Sequence, residues 1–262
     1  MRHGHFLIDL HCHILPGMDD GPQTAEAFWR MAQLADDEGI DYIVATPHHR
    51  TERYDNEREQ ILTAVAYCNS LLSDSELDVR ILGGQECRAY PDMAEGLTAG
   101  ELMTVNDATY QLVEFPSGDV PDYAFQLIYN LHMEGITPVI VHPERNRVIQ
   151  KDPEILRALI INGAVGQLTA GALTGNFGRR VRKFSELLIE HHLVHLIASD
   201  AHDVTRRPFQ LKAGYQQIRT LYGEALETAF LARAEDVLVG SGFYQEPPVT
   251  PGKRFGLPFR RG

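Results

Sequence analysis

Short apolar runs alternate along this chain with longer stretches in which apolar residues recur every three or four positions. The first run, FLIDL at 6–10, predicts a buried strand. A helix follows over Ala25–Glu38: Ala25, Phe28, Trp29 and Ala32 share one face, Thr24 can cap the start, and Gly39 can end it in a left-handed turn. Next come DYIVAT (41–46), a helix in roughly 55–74, DVRILGG (78–84) and YQLVEF (110–115). A helix around 122–134 carries Ala124, Leu127, Ile128 and Leu131 on one face and stops at Gly135. TPVIVH (137–142) precedes a helix marked by Asp152 as N-cap, Pro153 in its first position and Gly163 past its end. AVGQL (164–168), a helix in about 178–191, HLIASD (195–200) and helical sequence over 211–234 complete the series. Seven strand candidates, mostly separated by helices, predict one α/β domain with a parallel sheet.

That domain is expected over 1–245, followed by a tail at 246–262 that is rich in Pro and Gly. After Glu246 the tail carries Lys253, Arg254, Arg260 and Arg261 and no acid, which reads as a surface segment. A length of 262 residues suits a single α/β barrel, which commonly has about 250. Lys+Arg 24 against Asp+Glu 36 gives a formal charge of −12, which repels a phosphate backbone and argues against nucleic-acid binding. Three cysteines do not make a secreted disulfide framework. No run approaches the ~18 apolar residues of a membrane helix, and the apolar stretch near the N-terminus is too short for a signal peptide. A cytoplasmic protein with no membrane insertion is the expectation.

The 12 histidines change the picture, because of where they fall. His11 and His13 close the first strand, His48 and His49 follow the second, and Glu86 follows the third. Glu114 lies at the end of the fourth, His142 at the end of the fifth, and Asp200 and His202 at the end of the seventh. Residues two apart on a strand point the same way, so His11 and His13 aim together while Cys12 points away. Imidazoles beside carboxylates at six strand ends are the donor set of a divalent metal site, and costly to bury for any other purpose. In a flat seven-stranded sheet the edge strands would lie roughly 29 Å apart at about 4.8 Å per strand. Bringing His11 to Asp200 therefore favours closure into a barrel, whose active sites lie on the face holding the strand C-termini.

Arg145, three residues after His142, and Arg206 and Arg207, soon after His202, place cations beside this presumptive cation site. An anion between them, such as a phosphate ester, resolves the conflict; Glu144 offers Arg145 an ordinary ion pair instead. Cysteine-dependent phosphatase chemistry is excluded, since the positions six after Cys12, Cys68 and Cys87 are Met18, Asp74 and Met93, not Arg. The cysteines read as small buried apolar groups. His191, His192 and His195 read as helix-end or surface residues.

DLHCHILPGMDDG, ATPHH, GGQE, LVEF, VHPERN, QLTAGALTG and SDAHD, in that order over about 8–207, closely resemble the bacterial capsule-synthesis protein tyrosine phosphatases, metal-dependent enzymes of the polymerase and histidinol phosphatase (PHP) superfamily. The resemblance implies a distorted (β/α)7 barrel, TIM-barrel-like, with a cluster of three divalent ions, manganese foremost and Fe, Zn or Mg as alternatives. It implies the metal ligands His11, His13, His48, Glu86, Glu114, His142, Asp200 and His202. It also implies Arg145 and Arg207, rather than Arg206, as phosphate-binding arginines, with Asp9 and Asp20 orienting ligands or the attacking water. The implied reaction is hydrolysis of phosphotyrosine on the tail of a bacterial tyrosine kinase that controls polysaccharide export, by direct attack of a metal-bound hydroxide. Phenolate, of pKa near 10, needs little help in leaving. A histidinol-phosphate or other small phosphomonoester phosphatase is the alternative on the same fold, and a nuclease or a non-catalytic metal-binding regulator lies further off.

Overall fold

The periodicities of the sequence become nine strands and ten helices among residues 4–251, the part of the chain that the computed structural model describes. In order they are β1 (Ile8–Cys12), α1 (Ala25–Glu38), β2 (Tyr42–Ala45), β3 (His48–His49), α2 (Arg58–Ser73), β4 (Arg80–Gly83), β5 (Glu86–Arg88), α3 (Met93–Thr98), β6 (Tyr110–Glu114) and α4 (Ala124–Met133). There follow β7 (Thr137–Val141), α5 (Arg147–Lys151), α6 (Glu154–Ile161), β8 (Val165–Thr169), α7 (Ala170–Thr174), α8 (Gly178–Glu190), β9 (Leu196–Ala198), α9 (Leu211–Tyr222) and α10 (Glu224–Val239). The basic residues of the expected tail, Lys253 to Arg261, lie outside the described residues.

The helix signals act as expected. Thr24 Oγ1 accepts from Ala27 N at 3.2 Å, and Gly39 ends α1 at φ 78°. The helix expected after Asp152 starts its hydrogen-bond ladder at Glu154, with Asp152 Oδ1 accepting from Glu154 N at 3.2 Å.

Seven expected strands appear as nine because the second and third each break in two. Pro47, which has no N–H to give to a ladder, separates β2 from β3. Gly84 and Gln85 separate β4 from β5 beside it. All pairings are parallel and fall into two sheets, one ordered β1-β2-β4 and the other β3-β5-β6-β7-β8-β9. Among the described residues no single ladder runs round a ring; the pairing falls into these two parallel sheets. The first and last strands nevertheless meet, because His13 N donates to Ala201 O and Asp200 N to His11 O, both at 2.9 Å.

Side chains on alternate strand positions feed two apolar clusters. Ile8, Leu10, Leu112, Val139, Val141, Val165 and Leu196 belong to the one that the strands enclose. Cys12, Ile43, Val113, Ile140, Leu168 and Ile197 pack outward against the helices. Strict alternation from Leu10 would turn His11 outward. A register shift between Asp9 and Cys12 inserts a bulge, so that His11 shares the inner side with Leu10 while Cys12 faces out. Strand ends are thereby re-aimed where the candidate chemistry lies, and His142 and Asp200 do the same with positive φ of 36° and 53°.

Candidate metal centre

His11 Nδ1 lies 3.0 Å from Gln167 Oε1, and His13 Nδ1 lies 2.6 Å from Asp19 Oδ2. Those oxygens only accept, so each Nδ1 carries the ring proton and each Nε2 presents a lone pair. The two Nε2 atoms are 3.3 Å apart. Glu86 Oε2 lies 3.4 and 3.3 Å from them, and Asp200 Oδ1 3.6 and 3.4 Å. All four side chains are buried. Four acceptor atoms facing one another in a dry setting repel unless a cation sits among them.

His48 extends the pattern. Its Nδ1 is 2.8 Å from Glu86 Oε2, yet neither atom makes a hydrogen bond of good geometry. Glu114 Oε2 lies 3.8 Å from the same nitrogen. On the other edge of the ring, His48 Nε2 is 3.5 Å from Asp20 Oδ1, to which His202 Nε2 comes within 3.3 Å. Three groups result: His11, His13 and Asp200; His48, Glu86 and Glu114; and His13, Asp20, His48 and His202, each with its donor atoms within 4.8 Å of one another. His13 and His48 are shared between groups, which makes one continuous cluster. The donors fit hard or borderline divalent cations, with nitrogen and carboxylate oxygen and no thiolate.

Seven of the eight expected ligand residues therefore converge, and Asp20 joins them. His142 belongs to none of the three groups; its Nε2 is 2.8 Å from Glu86 Oε1 and 4.0 Å from Glu114 Oε1. His49 turns away to Asp55, 3.1 Å distant, as alternation along β3 requires. Arg145 and Arg207 both reach Asp200 Oδ2, Arg207 Nη2 at 2.5 Å, and Arg207 Nη1 is 2.8 Å from His202 Nε2. Arg206 is exposed and reaches only Asp203, through its backbone N–H. The alternative ion pair between Glu144 and Arg145 is not formed; Arg145 pairs with Asp200, and Glu144 Oε1 accepts from Thr169 N at 3.1 Å.

The electrostatics follow from burial and partners. Burial opposes a charge on His13, yet Asp19, Asp200 and Glu86 hold its pKa well above the ordinary value, so a proton and a cation compete for its Nε2 lone pair. Against the same penalty, Glu86 raises that of His48. Burial and the positive Arg145 push His142 down to about 4. Burial and the neighbouring Glu86 lift Glu114 to about 7. Asp20, hydrogen-bonded to His202, is held well below the usual carboxylate range and is ionised at neutral pH.

Asp19, Gln167 and Arg88 were not legible as site residues. Asp19 accepts from His13 Nδ1, from His48 N at 3.1 Å and from Gly21 N at 2.9 Å. Gly21 permits this tight turn, since a Cβ there would lie 2.1 Å from His13 O. In the string DDG nothing distinguishes Asp19 from Asp20. Gln167 had a weak signal, as a polar residue in an otherwise apolar run, and Arg88, 2.8 Å from Glu114, follows Glu86 by two positions on the same strand. Asp9, expected to orient ligands or water, lies beside them: its Oδ1 accepts from Ser199 N at 2.9 Å and from His11 N at 3.4 Å. His195 is corrected from a surface residue to a buried one, its Nδ1 accepting from Gly166 N at 3.2 Å.

Residues 7–239 match the protein family described as capsular polysaccharide synthesis, CpsB/CapC. This chain belongs to that family. It is 40% identical over 253 residues to the tyrosine-protein phosphatase YwqE of Bacillus subtilis (strain 168), covering 96% of this chain and 100% of YwqE. It is 30% identical over 222 residues to the tyrosine-protein phosphatase CpsB of Streptococcus pneumoniae, covering 83% of this chain and 91% of that one. Among solved structures it superposes with a TM-score of 0.91 and 40% identity on one from work on YwqE and CpsB, described there as unique metal-dependent tyrosine phosphatases, covering 94% of this chain and 100% of the other. An organophosphorus hydrolase from Deinococcus radiodurans, at 12% identity and a TM-score of 0.51, shares the fold alone, covering 92% of this chain and 93% of its own. CpsB/CapC membership extends over all three groups of the cluster, from His11 to His202.

Proposed function

We propose that this CpsB/CapC protein is a metal-dependent protein-tyrosine phosphatase that removes phosphate from the tyrosine-bearing tail of a bacterial tyrosine kinase in capsular or exopolysaccharide synthesis. The observation that carries the reading is the convergence of the His11 and His13 lone pairs with Glu86 and Asp200, immediately beside the guanidinium groups of Arg145 and Arg207. The names of its relatives favour phosphotyrosine over histidinol phosphate. We read His11, His13, His48, Glu86, Glu114, His142, Asp200 and His202 as the residues that hold the cations, three ions with manganese foremost. Within that reading the seven strand positions form a distorted (β/α)7 barrel of PHP type, residues 1–245 are the catalytic domain, and the protein works in the cytoplasm.

Divalent cations in such a cluster supply positive charge for the phosphoryl oxygens and lower the pKa of a water. The protein's own residues do the rest. Gln167 and Asp19 fix the tautomers of His11 and His13, so that the right nitrogen is free. Arg145 and Arg207 meet at one oxygen of Asp200, and a guanidinium in this position spreads its remaining donors over equatorial phosphoryl oxygens. Asp20, ionised and about half exposed, can only accept, so it orients a water by taking its hydrogen bond. Tyrosinate departs without a dedicated acid, since phenol has a pKa near 10.

The test is turnover of a tyrosine-phosphorylated kinase-tail peptide, with metal analysis of the same preparation. Hydrolysis that ceases on chelation and returns with added metal is expected; full activity after exhaustive chelation would refute the reading.

A further inference from the structure

Two recesses share residues with the candidate centre, and they differ in room. The one lined by His142 and Arg145 has a volume of about 10 Å³, too little for an organic group. The other, about 360 Å³, runs between the start of α1 and the loop after His202. Pro22, Ala27, Met31 and Val204 give it apolar walls, and Asp20 and His202 form its inner end. Those last two also belong to the cluster that joins His13 to His48, so the cleft opens directly onto the centre. Met31 is fully buried, while Val204 is 37% exposed on the lip. The loop that carries Val204 is pinned by Asp203 Oδ1, which accepts from Thr205 N and Arg206 N, both at 2.6 Å.

A phosphoryl group held at Arg145 and Arg207 needs room for its ester substituent, and this cleft is the roomier of the two recesses. We propose that the cleft between α1 and the 203–206 loop receives the phenyl ring of the phosphotyrosine, and that Ala27, Met31 and Val204 set the preference for an aryl over a compact ester. This deepens the phosphatase reading and rests on it. An aromatic ring gains by leaving water for apolar walls, and a volume of this size lies in the range of small-ligand pockets. A small aliphatic phosphate leaves the same walls wet and gains little from them. Neither Ala27 nor Val204 is one of the converging donors.

The experiment measures the Kd of a labelled peptide carrying phosphonomethyl-phenylalanine, by fluorescence anisotropy, and the Ki of inorganic phosphate, which needs no ring site. Ala27→Gln and Val204→Asn, which add polarity without charge, are each expected to weaken the peptide tenfold or more and to leave the phosphate Ki within twofold. Val204→Ile, which keeps the wall apolar, is expected to bind the peptide as the native protein does. Unchanged peptide affinity in both polar variants would overturn the proposal, as would a parallel rise in the phosphate Ki. Native protein that binds inorganic phosphate but shows no turnover of a phosphotyrosyl peptide would instead overturn the phosphatase reading itself, and the proposal with it.

Discussion

Replacing Asp19 by Asn isolates how a residue outside the expected ligand set governs the centre. The two carboxylate oxygens of Asp19 accept from three donors: His13 Nδ1 at 2.6 Å, His48 N at 3.1 Å and Gly21 N at 2.9 Å. An amide offers one acceptor oxygen, so at least one of these donors must face an NH2 group. If that donor is His13 Nδ1, the ring proton moves to Nε2, and the nitrogen aimed at Glu86 and Asp200 is lost to a cation. A charge-assisted hydrogen bond contributes about 1.5–3 kcal/mol, and partners of ligating histidines typically control metal affinity by about 10–100-fold, which is the same range in other units. We therefore expect Asp19→Asn to bind Mn²⁺ about 10–100-fold more weakly in a chelator competition. Circular dichroism should be unchanged and turnover should recover at saturating metal. Affinity within twofold of the native protein, with the fold intact, would refute the reasoning.

Arg145→Ala should lower kcat on an aryl phosphate by about 10²–10³-fold, equivalent to about 2.7–4 kcal/mol, with metal content unchanged by elemental analysis. Leu127→Ala, at a fully buried position on α4, should cost about 2–5 kcal/mol in urea unfolding and leave the metal content alone. His195 gives a pH signature: burial and the nearby Arg233 hold its pKa down to about 3, whereas the unfolded chain titrates near 6.5. Below about 6.5 the unfolded state binds a proton that the folded state refuses, so His195 subtracts stability as pH falls toward 3. Denaturation at about pH 7 and pH 5 should show His195→Gln losing about 2 kcal/mol less over that interval than the native protein.

Most strand positions were legible because buried parallel strands are written as continuous apolar runs bounded by Gly, Pro and acids. His11, His48, Glu86 and Asp200 could be picked out because a charged or imidazole side chain at the end of such a run has few other reasons to be there. What escaped depends on contacts between segments distant in sequence. The interruptions at Pro47 and Gly84 lie side by side and are bridged by backbone bonds, Gly84 N to Ala45 O at 2.9 Å and Glu86 N to Pro47 O at 3.2 Å, a juxtaposition that neither segment shows alone. Gln167 and Asp19 act on histidines 156 and 6 residues away, and no spacing rule links a carboxamide in one strand to an imidazole in another. The bulge near His11 was invisible for a similar reason: it is a property of the pairing between β1 and β2, not of either strand alone. His195 was misjudged because its neighbours in sequence include two histidines at a helix end, while its burial comes from lying at the start of β9.

The union of the first strand with the last has a consequence for biosynthesis. Asp9 and Ser199, 190 positions apart, are bonded next to the donors His11 and Asp200. A ribosome must therefore deliver the chain as far as His202 of its 262 residues before the last donors can arrive, and a nascent chain that stops short of β9 would carry the early histidines without Asp200 and His202. On the proposed metal-dependent reading, loading with ions would follow that point, however well the first half had folded.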